Sequence, residues 1–229
     1  MERHLEVVRT ARYWVLGEEV ATPREVWIVL HGYRQLAGRF LNRFKPLADG
    51  TRRIVAPEAL SRFYADLTPG RHGPGAQVGA SWMTREDREH EIADHVRYLD
   101  RLADVLVPES APPAGAPGPV LPRLVVLGFS QGVAAAARWT VLGRTRPARL
   151  ILWGDFVPPD LDLAAAARAW RDTEVVLVRG RRDHVFADPK AGEAEAERLR
   201  AAGLEPRRVG YDGGHDTDPR VLAAVAAGS

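Results

Sequence analysis

Apolar residues along this chain fall into short continuous runs separated by polar, helix-patterned stretches. "EVWIVLHG" (Glu25–Gly32), "RRIVAPEAL" (Arg52–Leu60), "RLVVLGFS" (Arg123–Ser130), "ARLILWGD" (Ala148–Asp155) and "TEVVLVRG" (Thr173–Gly180) share one form. "EPRRVGYDGGHD" (Glu205–Asp216) is a weaker version of it. Runs of this length without alternation are expected of strands buried on both faces. "LEVVRTARYWVLG" (Leu5–Gly17) alternates instead, which predicts an early, half-exposed strand.

Helical patterns fill the intervals. In "TREDREHEIADHVRYLDRLADVL", Thr84 is the expected N-cap, and Ile92, Val96, Leu99, Ala103 and Leu106 recur at helical spacing. "QGVAAAARWTVLG" follows Ser130; "KAGEAEAERLRAAG" ends at Gly203, a C-cap candidate; "DPRVLAAVAAG" is the last such segment. Strands alternating with helices predict an α/β fold, a mostly parallel sheet covered by helices on both faces. "PESAPPAGAPGPVLP" (Pro108–Pro122) reads as an exposed loop rather than a domain linker. No internal repeat is evident. The length of 229 residues suits one sizeable core, so 1–229 is expected to be a single domain.

Composition narrows the function classes. The 45% hydrophobic and 27% charged content is that of an ordinary globular chain. The formal charge is only +2, lysine occurs only at Lys45 and Lys190, and the arginines are interleaved with acids. A basic stripe for nucleic acid is missing, so no nucleic-acid partner is expected. There is no cysteine, which removes disulfides, thiol nucleophiles and thiolate metal sites. The charged start "MERHLEVVRTARYW" does not read as a signal peptide, and no run of 18 apolar residues occurs. A cytoplasmic protein without stable membrane insertion is the expectation.

In open α/β sheets, ligands sit beyond the carboxyl ends of the strands. There, Gly128-Phe129-Ser130-Gln131-Gly132 matches G-x-S-x-G, a sharp strand-to-helix turn that exposes a serine hydroxyl. Composition alone would produce this pattern about 0.04 times in such a chain. A serine needs a base, and the base needs an orienting acid, in the chain order Ser, acid, His. His215, in the Gly-rich "YDGGHDTDP", is the favoured base over His184, which directly follows the candidate acid. Asp183, after "VVLVRGRR", is the favoured acid; Asp155, after "LILWG", is the alternative. Oxyanion donors are expected from the backbone amides of Gln131 and Tyr33, the latter just past His31-Gly32. His31 itself reads as a structural histidine that holds the loop.

"VLHGY", "APEAL", "SWM", "LGFSQG", "GRRDHVF" and "GGHD" occur in the order found in the α/β-hydrolase phospholipase/carboxylesterase family, which the chain resembles over roughly residues 25 to 225. That family includes bacterial carboxylesterases and acyl-protein thioesterases. The resemblance implies a Ser130–Asp183–His215 triad, a Tyr33/Gln131 oxyanion hole and a compact hydrolase without a large cap domain. Trp82 in "ASWM" matches a tryptophan that lines the acyl groove, with core packing as the alternative, and Phe186 is placed beside the substrate. One departure stands out. The family usually reads His-Gly-x-Gly-Asp where this chain has His31-Gly32-Tyr33-Arg34-Gln35, so Arg34 puts charge and bulk at the expected entrance. Either the loop takes another path, or substrates with an acidic group are accommodated.

The expected activity is hydrolysis of carboxylic esters or thioesters of short to medium acyl chains. Lysophospholipase and acyl-protein thioesterase are narrower alternatives. A non-catalytic binding protein on the same fold is an alternative of another class. The expected partner is a small-molecule or lipid-like ester, no cofactor or metal is implied, and a homodimer is a compatible state. His90 and His95 are five apart on a charged helix face, whereas a helical zinc pair needs a spacing of four. They read as part of a solvated face. The segment Arg62–Trp82 is expected at the active-site rim, either gating it or as a static loop.

Overall fold

The computed structural model describes residues 1–65, 73, 75–107 and 121–228. A seven-stranded sheet carries β1 (Tyr13–Leu16), β2 (Glu25–Leu30), β3 (Arg52–Pro57), β6 (Arg123–Phe129), β7 (Arg149–Trp153), β8 (Glu174–Gly180) and β9 (Arg207–Tyr211). Their spatial order is β1-β3-β2-β6-β7-β8-β9, and every pair except β1–β3 is parallel. β4 (Ser61–Tyr64) and β5 (Val78–Ser81) form a separate antiparallel pair. The helices are α1 (Ala37–Leu41) running into a 3-10 turn (Asn42–Leu47), α2 (Arg88–Leu106), α3 (Gln131–Leu142), α4 (Leu163–Ala169), α5 (Pro189–Ala201) and α6 (Pro219–Ala227).

The uninterrupted apolar strands have a direct structural reason. Successive side chains of a strand point to opposite faces. On one face Ile28, Leu30, Val126, Leu150, Leu152 and Leu177 join the buried residues of α2, α3 and α5. On the other, Trp27, Val29, Leu127, Ile151, Trp153 and Val178 pack against Phe40 and Phe44 and against Leu222 and Val225 of α6. Both faces are covered, so neither parity of position can be polar.

Four local expectations are corrected. His95 lies buried on the inner face of α2, at 1% exposure, and only His90 is on the solvated face, because five positions along a helix turn the two side chains to different sides. The alternation over Leu5–Gly17 yields a strand only at Tyr13–Leu16, because residues preceding it find no sheet partner and stay exposed. Thr84 does not cap α2: its hydroxyl binds the Glu86 amide in a local turn, and the helix begins after Asp87, in left-handed backbone at φ 46°. The Arg62–Trp82 segment is partly regular, since it contributes β4 and β5; residues 66–72 and 74 lie outside the described residues, as do 108–120 of the Pro-rich stretch. Gly203 does follow the end of α5, at φ 76°. Two further helices, α1 and α4, carry no strong periodicity. For α4 a signal existed in Asp162, whose carboxylate accepts from the amides of Ala164 (2.9 Å) and Ala165 (3.0 Å) at the start of an alanine-rich run. Among the described residues, no helix is long and apolar enough to cross a membrane.

Candidate active site

Ser130 sits between β6 and α3 with φ 51° and ψ −123°. A non-glycine residue holds such backbone only where its surroundings enforce it. The enforcement is visible on both sides. The Ser130 amide donates to Trp153 O (2.8 Å) in β7, and its carbonyl accepts from the Val133 amide (2.7 Å). A Cβ on Gly128 would lie 2.2 Å from Gly132 O, and one on Gly132 would lie 2.3 Å from Leu30 O. Strand, turn and helix therefore close only with glycine at both flanking positions.

Asp183 and His215 arrive from the loops after β8 and β9, which are bonded to each other. The amides of Arg181 and Arg182 donate to Tyr211 O (2.8 Å) and Gly213 O (2.9 Å). Tyr211 Oη donates to Gly214 O (3.0 Å), and Trp153 Nε1 to Asp216 O (3.1 Å). Glycine is needed here at Gly213, the first of "GGHD", and at Gly180 facing it. A Cβ on Gly213 would meet the Tyr211 ring at 2.3 Å, and one on Gly180 would meet Gly213 O at 2.4 Å. This scaffold sets His215 Nδ1 2.8 Å from Asp183 Oδ2 and His215 Nε2 3.0 Å from Ser130 Oγ. Asp183 is buried, and its other oxygen accepts the Val185 amide (3.0 Å).

The competing candidates lie close by without completing such a line. His184 points outward, with Nδ1 3.6 Å from Asp183 Oδ1 and its ring edge-on to that of His215. Asp155 turns an oxygen to its neighbouring Phe156 amide (2.8 Å). Burial raises its pKa, and the nearby carboxylates of Asp183 and Glu195 act in the same direction, against the pull of His215.

The loop after β2 borders the serine. A Cβ on Gly32 would lie 3.2 Å from Ser130 Cβ. Its amide donates to Gln35 Oε1 (2.9 Å), and the Gln35 amide donates back to Gly32 O (3.2 Å). The Tyr33 and Gln131 amides, by contrast, have no hydrogen-bond acceptor among the described residues. His31 is fully buried, bonding Gly32 O through Nδ1 (2.8 Å) and accepting the Ala59 amide at Nε2 (3.1 Å). Burial lowers its pKa, which favours the neutral ring that this accepting nitrogen requires.

Arg34 is held by the strand pair β4–β5. Its φ is 65°, so arginine adopts the left-handed backbone that glycine would take without strain. Its amide donates to Ala80 O (3.0 Å) and its guanidinium to Ala65 O (2.7 Å), which ties the side chain to the β4–β5 unit. Gly79 makes the approach feasible, since a Cβ there would lie 2.7 Å from Arg34 Cα.

Trp82 is 3% exposed, its indole donates to His31 O (2.8 Å), and its ring packs near His31 and His95. It lies largely buried beneath the loop, and its remaining surface borders a cavity of ≈ 870 Å³ shared with Tyr13, Leu60, Tyr98 and Leu102. Phe186 stands edge-on to Phe156 at 4.8 Å between ring centres, with the Arg179 guanidinium 5.1 Å and 4.8 Å from the Phe156 and Phe186 rings. A groove of ≈ 600 Å³ adjoins this cluster, lined among others by Met83, Ala134, Asp155, Phe156 and Val157. Sequence reading missed the Gln131 side chain. Its Oε1 accepts the Trp82 amide (3.0 Å) and its Nε2 donates to Met83 O (2.9 Å) and Ser81 Oγ (3.0 Å), pinning the β5–α2 connection beside the serine. Only its place directly after Ser130 hinted at this.

Sheet order, elbow and the loops bearing Asp183 and His215 are those of an α/β-hydrolase fold. Among solved structures, the chain resembles acyl-protein thioesterase 2 from Zea mays, at 18% identity and a TM-score of 0.65, covering 95% of this chain and 97% of that one. A carboxylesterase from Mesorhizobium loti gives 17% identity and 0.65 over 96% and 95%. Esterase PE8 gives 20% identity and 0.62 over 96% and 97%. No protein-family model and no curated protein sequence matches the chain. At these identities the likeness establishes the fold.

Proposed function

We propose that this chain is a serine hydrolase that cleaves carboxylic esters or thioesters with short to medium acyl chains. The observation that carries the reading is the line from Asp183 through His215 to Ser130, with contacts of 2.8 Å and 3.0 Å. His215 Nε2 takes the Ser130 proton as Oγ attacks the acyl carbonyl, while Asp183 accepts from Nδ1–H and stabilises the imidazolium. The free amides of Tyr33 and Gln131 receive the oxyanion at the N-terminus of α3, where the helix dipole also favours negative charge. His215 then protonates the leaving alcohol or thiol, and a water deprotonated by the same nitrogen releases the acid. The apolar part of the groove at Met83, Ala134, Phe156 and Val157 is suited to the acyl chain of a small-molecule or lipid-like ester. Carboxylesterase and acyl-protein thioesterase activities in the names of the structural neighbours support the same reading. Residues 1–229 act in this reading as one hydrolase domain.

The test is labelling with a fluorophosphonate, followed by p-nitrophenyl esters from acetate to palmitate. The expected result is stoichiometric modification at Ser130 and turnover that declines toward palmitate. An unlabelled Ser130 in folded protein would favour the non-catalytic binding reading, and a maximum at palmitate would favour a palmitoyl thioesterase or lysophospholipase.

A further inference from the structure

Away from the active site, two histidines from separate parts of the chain converge on one carboxylate oxygen. His4 Nε2 lies 3.2 Å from Asp87 Oδ1, and His90 Nδ1 lies 2.6 Å from the same atom. The two imidazoles stack with ring centres 3.9 Å apart and planes inclined by 23°. His90 is in the first turn of α2, Asp87 directly precedes that helix, and His4 belongs to the exposed segment 1–12 that leads into β1. Glu2 Oε1, 3.5 Å from His4 Nε2, puts a second carboxylate in reach.

We propose that His4, Asp87 and His90 form a binding site for a zinc-class divalent cation, which latches the 1–12 segment onto α2. Two imidazole nitrogens with a carboxylate suit zinc or nickel, whereas magnesium and calcium take oxygen ligands. Zinc bonds of 2.0–2.2 Å in a tetrahedral site put donor atoms about 3.3 Å apart. The His4–Asp87 separation of 3.2 Å is close to that value, and the His90–Asp87 contact of 2.6 Å has to open by about 0.7 Å. The rings must also splay from their near-parallel stack so that both lone pairs meet. All three side chains are partly exposed and free to do so.

The latch has something to hold. Glu6 faces Arg97 at 3.7 Å, and Arg12 O accepts the Glu58 amide (3.1 Å) and the Tyr98 hydroxyl (3.3 Å). Leu5, Val7 and Val8 are exposed, so apolar burial contributes little to keeping the segment in place. A cavity of ≈ 870 Å³ lies between the segment and α2, bordered by Val7, Tyr13, Tyr98 and Leu102 among others. An ion joining His4 to the start of α2 fixes the outer end of that wall.

Equilibrium dialysis of the full chain against Zn²⁺ tests the site, with trypsin cleavage after Arg3 and Arg9 as the second readout. One zinc per chain is expected, with affinity reduced at least tenfold in both His4→Ala and His90→Ala, and with zinc slowing cleavage in the parent chain only. Absence of zinc binding, or binding unchanged in both variants, overturns the proposal. So does zinc binding lost in His184→Ala instead, because that places the ion on the His184–Asp183–His215 cluster.

Discussion

Gly132 of α3 lies so close to Leu30 of β2 that a Cβ on the glycine would sit 2.3 Å from the leucine carbonyl oxygen. The obstacle is backbone in the centre of the sheet, which cannot rotate away. Gly132→Ala must push α3 off β2 or distort the turn at Ser130. Such backbone clashes destabilise by roughly 3 kcal/mol, or about 6–12 °C in Tm for a chain of this size. Thermal unfolding by circular dichroism checks this. A Tm within 2 °C of the parent, with full ester hydrolysis, contradicts the elbow geometry.

The two acids near His215 are separable by mutation. Asp183→Asn leaves shape intact but offers the imidazole the wrong partner, so kcat/KM for p-nitrophenyl acetate is expected to fall about 10⁴-fold. Asp155→Asn removes a carboxylate that, among the described residues, bonds only its neighbouring amide and should cost less than about tenfold. The reverse ranking would move the acid of the relay from the loop after β8 to the loop after β7.

Arg34 gives a pair of opposed substitutions. Arg34→Ala loses the bond to Ala65 O yet keeps a side-chain-bearing residue at φ 65°. Arg34→Gly loses the same bond and relieves the left-handed strain, worth roughly 1–2 kcal/mol. The glycine variant should therefore melt about 2–8 °C above the alanine variant. Equal melting temperatures, or the opposite order, would show that the strain is not there.

The parallel sheet, the elbow and the loops bearing Asp183 and His215 were legible in the sequence because each depends on a local steric demand. Buried strands need apolar runs, and Ser130 needs glycine two positions to either side. His215 was distinguishable from His184 for a similar reason, since adjacent residues rarely make the side-on hydrogen bond that joins Asp183 and His215. What was not legible depends on partners remote in sequence. For Trp82 the sequence could not name the neighbours that hold its ring, His31 and His95. Arg34 suggested a charge at the entrance, and only Gly79 and Ala65 showed where its backbone and guanidinium go. The short α1 buries Phe40 without a periodic pattern long enough to announce a helix. His4 and His90 could not be paired from spacing, because 86 positions separate them in the chain.

His95 makes the fold acid-sensitive. It is 1% exposed on α2, and neither ring nitrogen has a hydrogen-bond partner of good geometry among the described residues. Burial lowers its pKa from 6.5 to about 4, and the Arg138 guanidinium adds repulsion. His31 shifts in the same direction. Between pH 6.5 and about 4 the unfolded chain therefore binds protons that the folded chain refuses, so stability falls as pH falls through that window. The loss from His95 is on the order of 3 kcal/mol and is complete below its folded pKa. His95→Leu removes the titrating group from this buried position. At pH 7.5 its Tm should equal or exceed that of the parent, and the decline of Tm from pH 6.5 to 4.5 should be markedly shallower. Parallel declines in the two proteins would assign the acid limb to other groups, His31 first.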